Sequence, residues 1–142
     1  MSTTRTIVVK GSGIRKEAEA AGVIVPGHIL ELTSTGTVQA VSAADDHVQM
    51  RVAVENEVIG NGVDDNYASG DWVLFEVLER GAEFYAVVAA GAAAITWGDF
   101  LNVKADGTVL TAVDASANRA VALESVDNSG GGAVTWILCE AL

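Results

Sequence analysis

The groups from which a catalytic or metal site could be built are few: two histidines, His28 and His47, one cysteine, Cys139, and 19 acidic residues. His28 follows a glycine in Gly27-His28-Ile29-Leu30, and Asp71 and Asp99 stand in the same place in Gly70-Asp71-Trp72-Val73 and Gly98-Asp99-Phe100-Leu101. A residue exchangeable with aspartate directly after a glycine reads as a turn residue rather than a ligand. His47 closes Ala43-Ala44-Asp45-Asp46-His47 and reads as exposed loop. Asp45-Asp46 and Asp64-Asp65 are adjacent pairs, and neighbours on an extended chain point apart, so neither is suited to share a proton or a metal. Asn61 to Asn66 supplies oxygen ligands without the spacing or closing glutamate of a calcium loop, so at most a weak surface cation is expected there. Cys139 lies in an apolar stretch and reads as packed rather than reactive. Gly130-Gly131-Gly132 lacks the lysine and following helix of a phosphate loop and reads as a hairpin tip. No serine stands in a nucleophile-elbow context. The expectation is no enzyme, no cofactor and no structural metal.

The elements around these residues are strands. Short runs rich in Val, Ile, Leu, Thr and aromatics recur, each closed by Gly, Asn or Asp: 29–33, 38–41, 48–54, 72–78, 84–89, 100–103, 109–113, 120–126 and 133–139. Alternation within them, as in Trp72-Val73-Leu74-Phe75, marks half-buried strands. Residues 3–9 are rich in β-branched side chains and also predict a strand, broken by Gly11-Ser12-Gly13. Ile14 to Ala21 has helix-forming composition with one turn of apolar periodicity, and reads as a short helix or an extended linker. Pro26 closes this segment. The reading is a first unit, residues 1–24, as an extended arm, and residues 25–142 as one all-β domain, a small barrel or sandwich. Within it GHILELTSTGTV (27–38) repeats as GDFLNVKADGTV (98–109), and Val52-Ala53-Val54-Glu55 echoes Val121-Ala122-Leu123-Glu124, so that 27–55 and 98–124 form two copies with a third start at Gly70.

Charge divides the chain in the same place. Residues 1–16 hold Arg5, Lys10, Arg15 and Lys16 and no acid, whereas the remainder holds the other four basic residues and all 19 acidic ones, for a net −11 overall. An acidic body repels phosphates and anionic lipid, which argues against nucleic acid or membrane as partner. It also lacks the basic, aromatic-lined groove of a nucleic-acid-binding barrel. Lys104 stands without the hairpin context of a biotinyl or lipoyl carrier. The longest apolar stretch, Phe84 to Ile95, is interrupted by Gly91 and is shorter than the roughly 20 residues of a membrane span. The segment Thr6–Val9 is too short for a secretory signal, so a cytosolic protein, or one in a particle assembled there, is expected.

The order of these features carries a resemblance. A basic, Thr-rich start leads through IRKEAEAAGVIVPGHILEL into repeated G-[HD]-x-[LV] strand starts, an ADGTV hairpin, an AVALE strand and a closing hydrophobic strand. This resembles the head-decoration, or capsid cement, proteins of tailed bacteriophages and related archaeal viruses. The resemblance implies a β-barrel or tulip-like domain and a homotrimer. The trimer would sit at threefold positions on the exterior of the expanded head and be made in the host cytoplasm. It also implies an arm that pairs with the major capsid protein, here through Arg5, Ile7, Val9, Lys10, Ile14, Arg15 and Lys16. The aromatics Tyr67, Trp72, Tyr85, Trp97 and Trp136 exceed the needs of one small barrel and suggest the subunit interface. Another virion module, such as a tail-tube, spike or adhesion domain, is the competing expectation. A small-ligand domain would need a deep polar pocket.

Overall fold

The computed structural model describes residues 6–43 and 49–142. Arg5, Asp45, Asp46 and His47 lie outside them. Among the described residues the chain is all-β: eleven strands and two three-residue 3-10 turns, Glu57–Ile59 and Ala115–Ala117. Among the described residues no helix is long and apolar enough to cross a membrane.

The strands are β1 (Val8–Lys10), β2 (Gly13–Glu19), β3 (Leu30–Leu32), β4 (Val38–Ala40), β5 (Arg51–Ala53), β6 (Trp72–Leu78), β7 (Glu83–Val88), β8 (Phe100–Val103), β9 (Val109–Thr111), β10 (Ala120–Ala122) and β11 (Thr135–Ala141). Antiparallel pairing builds a six-stranded sheet, β1-β7-β11-β10-β8-β9. A second sheet runs β2-β6-β5, and β3-β4 is a hairpin. Two isolated bridges link the smaller pieces: Ala20, just past β2, pairs with Val38 of β4, and Ile29, just before β3, pairs with Val52 of β5. The pairing therefore travels round a ring, β4 to β2 to β6 to β5 to β3 and back to β4. Ala20, Ile24, Leu30, Val38, Ala53, Tyr67, Val73 and Phe75 fill it.

A larger core lies against the six-stranded sheet. Phe84, Ala86 and Val88 of β7 and Ile137, Cys139 and Ala141 of β11 all point into it, as period-two alternation requires. The two cores share walls. On β6 Val73 and Phe75 enter the ring while Leu74 packs on the larger cluster, and on β5 Ala53 and Val52 divide likewise. They form one body.

The first segment departs from the expected extended arm. Gly13 to Glu19 is a strand paired with β6 over seven residues, from Gly13 opposite Leu78 to Glu19 opposite Trp72. The residues read as arm, from Ile7 to Ile24, belong to the same body as the rest, and the expected boundary at residue 24 falls inside it. Ile7, Ala20 and Ile24 are buried. The helix-like composition of 14–21 is a weak local preference, and tertiary pairing overrides it.

The sequence repeat is visible as hydrogen bonds. The Gly27 N–H donates to the Ala53 carbonyl and the Ala53 N–H to that of His28. Gly98, Ala122 and Asp99 make the same exchange, and so do Gly70, Ala20 and Asp71. The third copy thus borrows its partner from the first segment. That supplies a structural reason for the segment to be bound in.

Candidate interaction surface

Several of the described candidates for chemistry have a structural occupation. His28 Nδ1 accepts from the Val25 N–H at 3.1 Å, as Asp71 accepts from Ala68 and Asp99 from Thr96. All three close tight turns whose preceding glycine has φ between 88° and 101°. Burial lowers the His28 pKa, and the nearby Asp106 carboxylate partly offsets this. Asp114 and Asp127 each accept from the N–H and hydroxyl of the serine two residues on, Ser116 and Ser129. Those bonds hold both carboxyls below the usual range. Asp65 accepts from the Gly62 N–H at 2.8 Å, which ties that carboxylate into its own turn. Among the described residues no three His, Cys, Asp or Glu side chains gather as a metal site. Cys139 is buried, its thiol pushed far up by desolvation, and its Sγ–H points at the Phe84 carbonyl.

The first segment is fastened at three points. The buried Glu55 carboxylate accepts from the Ile7 N–H at 3.1 and 3.2 Å and from the Thr6 hydroxyl at 3.0 Å. Gly11, at φ +93°, lies against the Ala82 backbone, where an added Cβ would come within 2.9 Å of Cα. Glu79 accepts from both the N–H and the hydroxyl of Ser12, which lowers its pKa. Sequence reasoning passed over Glu55 and Glu79. The available signal was an acid at the end of an apolar run, Val52-Ala53-Val54-Glu55.

The expected arm residues therefore separate. Ile7 is fully buried in the larger core and cannot meet another chain without unfolding. Val9, Lys10, Ile14, Arg15 and Lys16 are exposed. Arg15 forms an ion pair with Glu76 at 3.2 Å, and Ile14 is 64% exposed. The aromatics separate too. Tyr67 is buried and donates its hydroxyl to the Val54 carbonyl, so it belongs to the core and not to an interface. Trp136 donates Nε1 to the Pro26 carbonyl and packs on Gly27, where a Cβ would lie 3.0 Å from Nε1. Tyr85 is half-buried opposite Leu138 on the outer face of the large sheet. Trp72 and Trp97, at 62% and 63%, remain open to solvent. Trp72 and the exposed Phe100 occupy equivalent places, two residues past the turn glycine.

The outcome is an all-β body in which the described histidine and several aspartates serve turns, and whose exposed large apolar side chains include Ile14, Trp72, Trp97 and Phe100. That fold occurs in a solved structure, described as the head fiber gp8.5 N base in bacteriophage phi29, to which this chain is similar at a TM-score of 0.61. The match covers 92% of this chain and 95% of the other at 14% sequence identity. No family model and no curated protein matches the sequence.

Proposed function

We propose that this protein is a structural component of a tailed-virus head, a decoration protein bound to the capsid exterior. The observation that carries the reading is the near full-length likeness in fold to a phage head fibre base. The turn hydrogen bonds of His28, Asp71 and Asp99 and the burial of Cys139 support a structural over an enzymatic role. In this reading a homotrimer sits at threefold positions of the expanded head, meets the major capsid protein, and stabilises contacts between capsomers. Neither nucleic acid nor membrane is a partner, because an acidic body of net −11 repels both. Lys10, Lys16 and the exposed Ile14 provide contacts to an acidic shell, and Trp72, Trp97 and Tyr85 are the remaining candidates for the subunit interface.

The test is co-sedimentation of purified protein with expanded, DNA-filled heads and with unexpanded shells, alongside sedimentation velocity of the free protein. Saturable binding to expanded heads by a trimer supports the proposal. A stable monomer at tens of micromolar, or equal binding to both shells, overturns the threefold role.

A further inference from the structure

We infer that the subunits of the proposed trimer lock head to tail, the exposed apolar tip Val58-Ile59 of one copy entering an apolar hollow beside β9 of the next. The inference rests on the homotrimer reading and names a contact which that reading leaves open.

The tip is the 3-10 turn Glu57–Ile59, in the connection between β5 and β6, and none of its residues is buried. Val58 is 89% exposed, the highest value among the exposed large apolar residues, and its neighbour Ile59 is 66% exposed. Gly60, at φ +83°, donates back to the Glu57 carbonyl and closes the turn. The Val58 and Ile59 carbonyls accept no hydrogen bond among the described residues.

The hollow lies along β9, which ends the six-stranded sheet, and its volume is about 360 Å³. Its apolar walls come from the turn after β7, through Ala89, Ala92 and Ala93, and from Val109, Leu110 and Val113. Thr111 also lines it, and Thr111 Oγ1 is buried without a hydrogen-bond partner. Such an atom calls for an explanation, because nearly all buried polar atoms are paired. The Ala112 N–H donates to the Phe100 carbonyl of β8, so alternation turns the Thr111 N–H away from β8, toward the open edge. These two donors complement the free carbonyls of the tip. Val58 and Ile59 do not line the hollow, so a chain does not fill its own.

Charge agrees with the pairing. Lys104, the only lysine beyond residue 16, lines the hollow and has no ion pair among the described residues. Asp106 and Asp114, the acids flanking the β9 segment, are tied into their own turns by Thr108 and Ser116. Glu57 is exposed beside Val58, likewise without an ion pair, and brings its carboxylate to Lys104. A contact between two different surfaces of identical chains closes as a ring when the rotation permits, here a ring of three. The tip acts as an anchor within a wider interface, since a stable pair buries about 800 Å² on each partner.

Sedimentation velocity of the full chain over a dilution series gives the association constant, and circular dichroism checks that each variant folds. Val58→Ser with Ile59→Ser alters only exposed side chains and should weaken association about tenfold or more. Ala93→Trp, at an exposed wall position, plugs the hollow and should do the same. Glu57→Lys and Lys104→Glu should each weaken it about fivefold, and their combination should return to within about threefold of the parent. The charge variants, both at exposed positions, decide the matter if the tryptophan variant does not fold. A trimer that these variants leave within twofold, or a combined reversal no better than either single one, overturns the contact and leaves the trimer standing. A parent that stays monomeric at tens of micromolar overturns the trimer reading and the contact with it. A closed dimer also overturns the contact, because a head-to-tail arrangement does not close with two copies.

Discussion

Replacing Ile7 by alanine tests whether the first segment is part of the folded body. The side chain is fully buried in the larger core. Removing the equivalent of about three methylenes at roughly 0.8 kcal/mol each loses about 2.5 kcal/mol of transfer free energy. A residual cavity adds to that, and Ile→Ala changes in cores cost about 2–5 kcal/mol. A loss of about 2.5–3.5 kcal/mol, the transfer cost plus a modest cavity contribution, is expected. For a domain of this size that corresponds to about 6–12 °C in Tm. The assay is urea unfolding followed by tryptophan fluorescence at fixed protomer concentration, because association changes apparent stability. Val9→Ala, on an exposed neighbour, should stay within about 0.5 kcal/mol. If Ile7→Ala also falls within about 0.5 kcal/mol, the segment is a passive tail and its placement in the core is refuted.

Gly11→Ala should cost about 1–3 kcal/mol in the same unfolding assay, since φ is +93° and Ala82 blocks the new Cβ. His28 gives a pH dependence. Its pKa is lowered in the folded state, so the unfolded chain binds more protons, and the associated stability is present above about pH 6.5 and lost as pH falls toward the depressed folded value. Urea midpoints should therefore decline from pH 7 to pH 5 less steeply in His28→Asn than in the parent, and identical slopes would sink the assignment. Cys139 should resist Ellman's reagent in the native state and react as fast as a free thiol in urea. Native labelling at the free-thiol rate would contradict its burial.

Much of the fold was legible because half-buried strands advertise themselves by alternation. The reading of 72–78 coincides with β6 and that of 100–103 with β8, and the repeat located the equivalent turns at His28, Asp71 and Asp99. Residues 14–21 were ambiguous because Arg, Lys, Glu and Ala carry helical preference, whereas their strand depends on β6, far away in the chain. The third repeat copy showed two matching residues, Gly70-Asp71, but its partner Ala20 bears no sequence likeness to Ala53 or Ala122 beyond being alanine. Tyr67 and Trp136 were read as surplus aromatics because composition counts side chains without showing the carbonyls of Val54 and Pro26 that receive their polar atoms. Ile7 was assigned to an interface by the same logic. An apolar residue in a short basic segment looks like a hook for a partner until Glu55, from across the fold, is seen to hold its backbone.

The place of β11 has a consequence for biosynthesis. It stands inside the six-stranded sheet, between β7 and β10, and β1 pairs with β7 on its far side. While the ribosome adds about 5–20 residues per second, β7 emerges long before β11, and one of its edges has no mate. The large sheet is completed after β11 has been made, by insertion of that strand between two that already exist. Such late, long-range closure belongs to the slow-folding β proteins, which fold in about milliseconds to seconds. During that interval mutual repulsion between acidic nascent chains protects the open edges from one another.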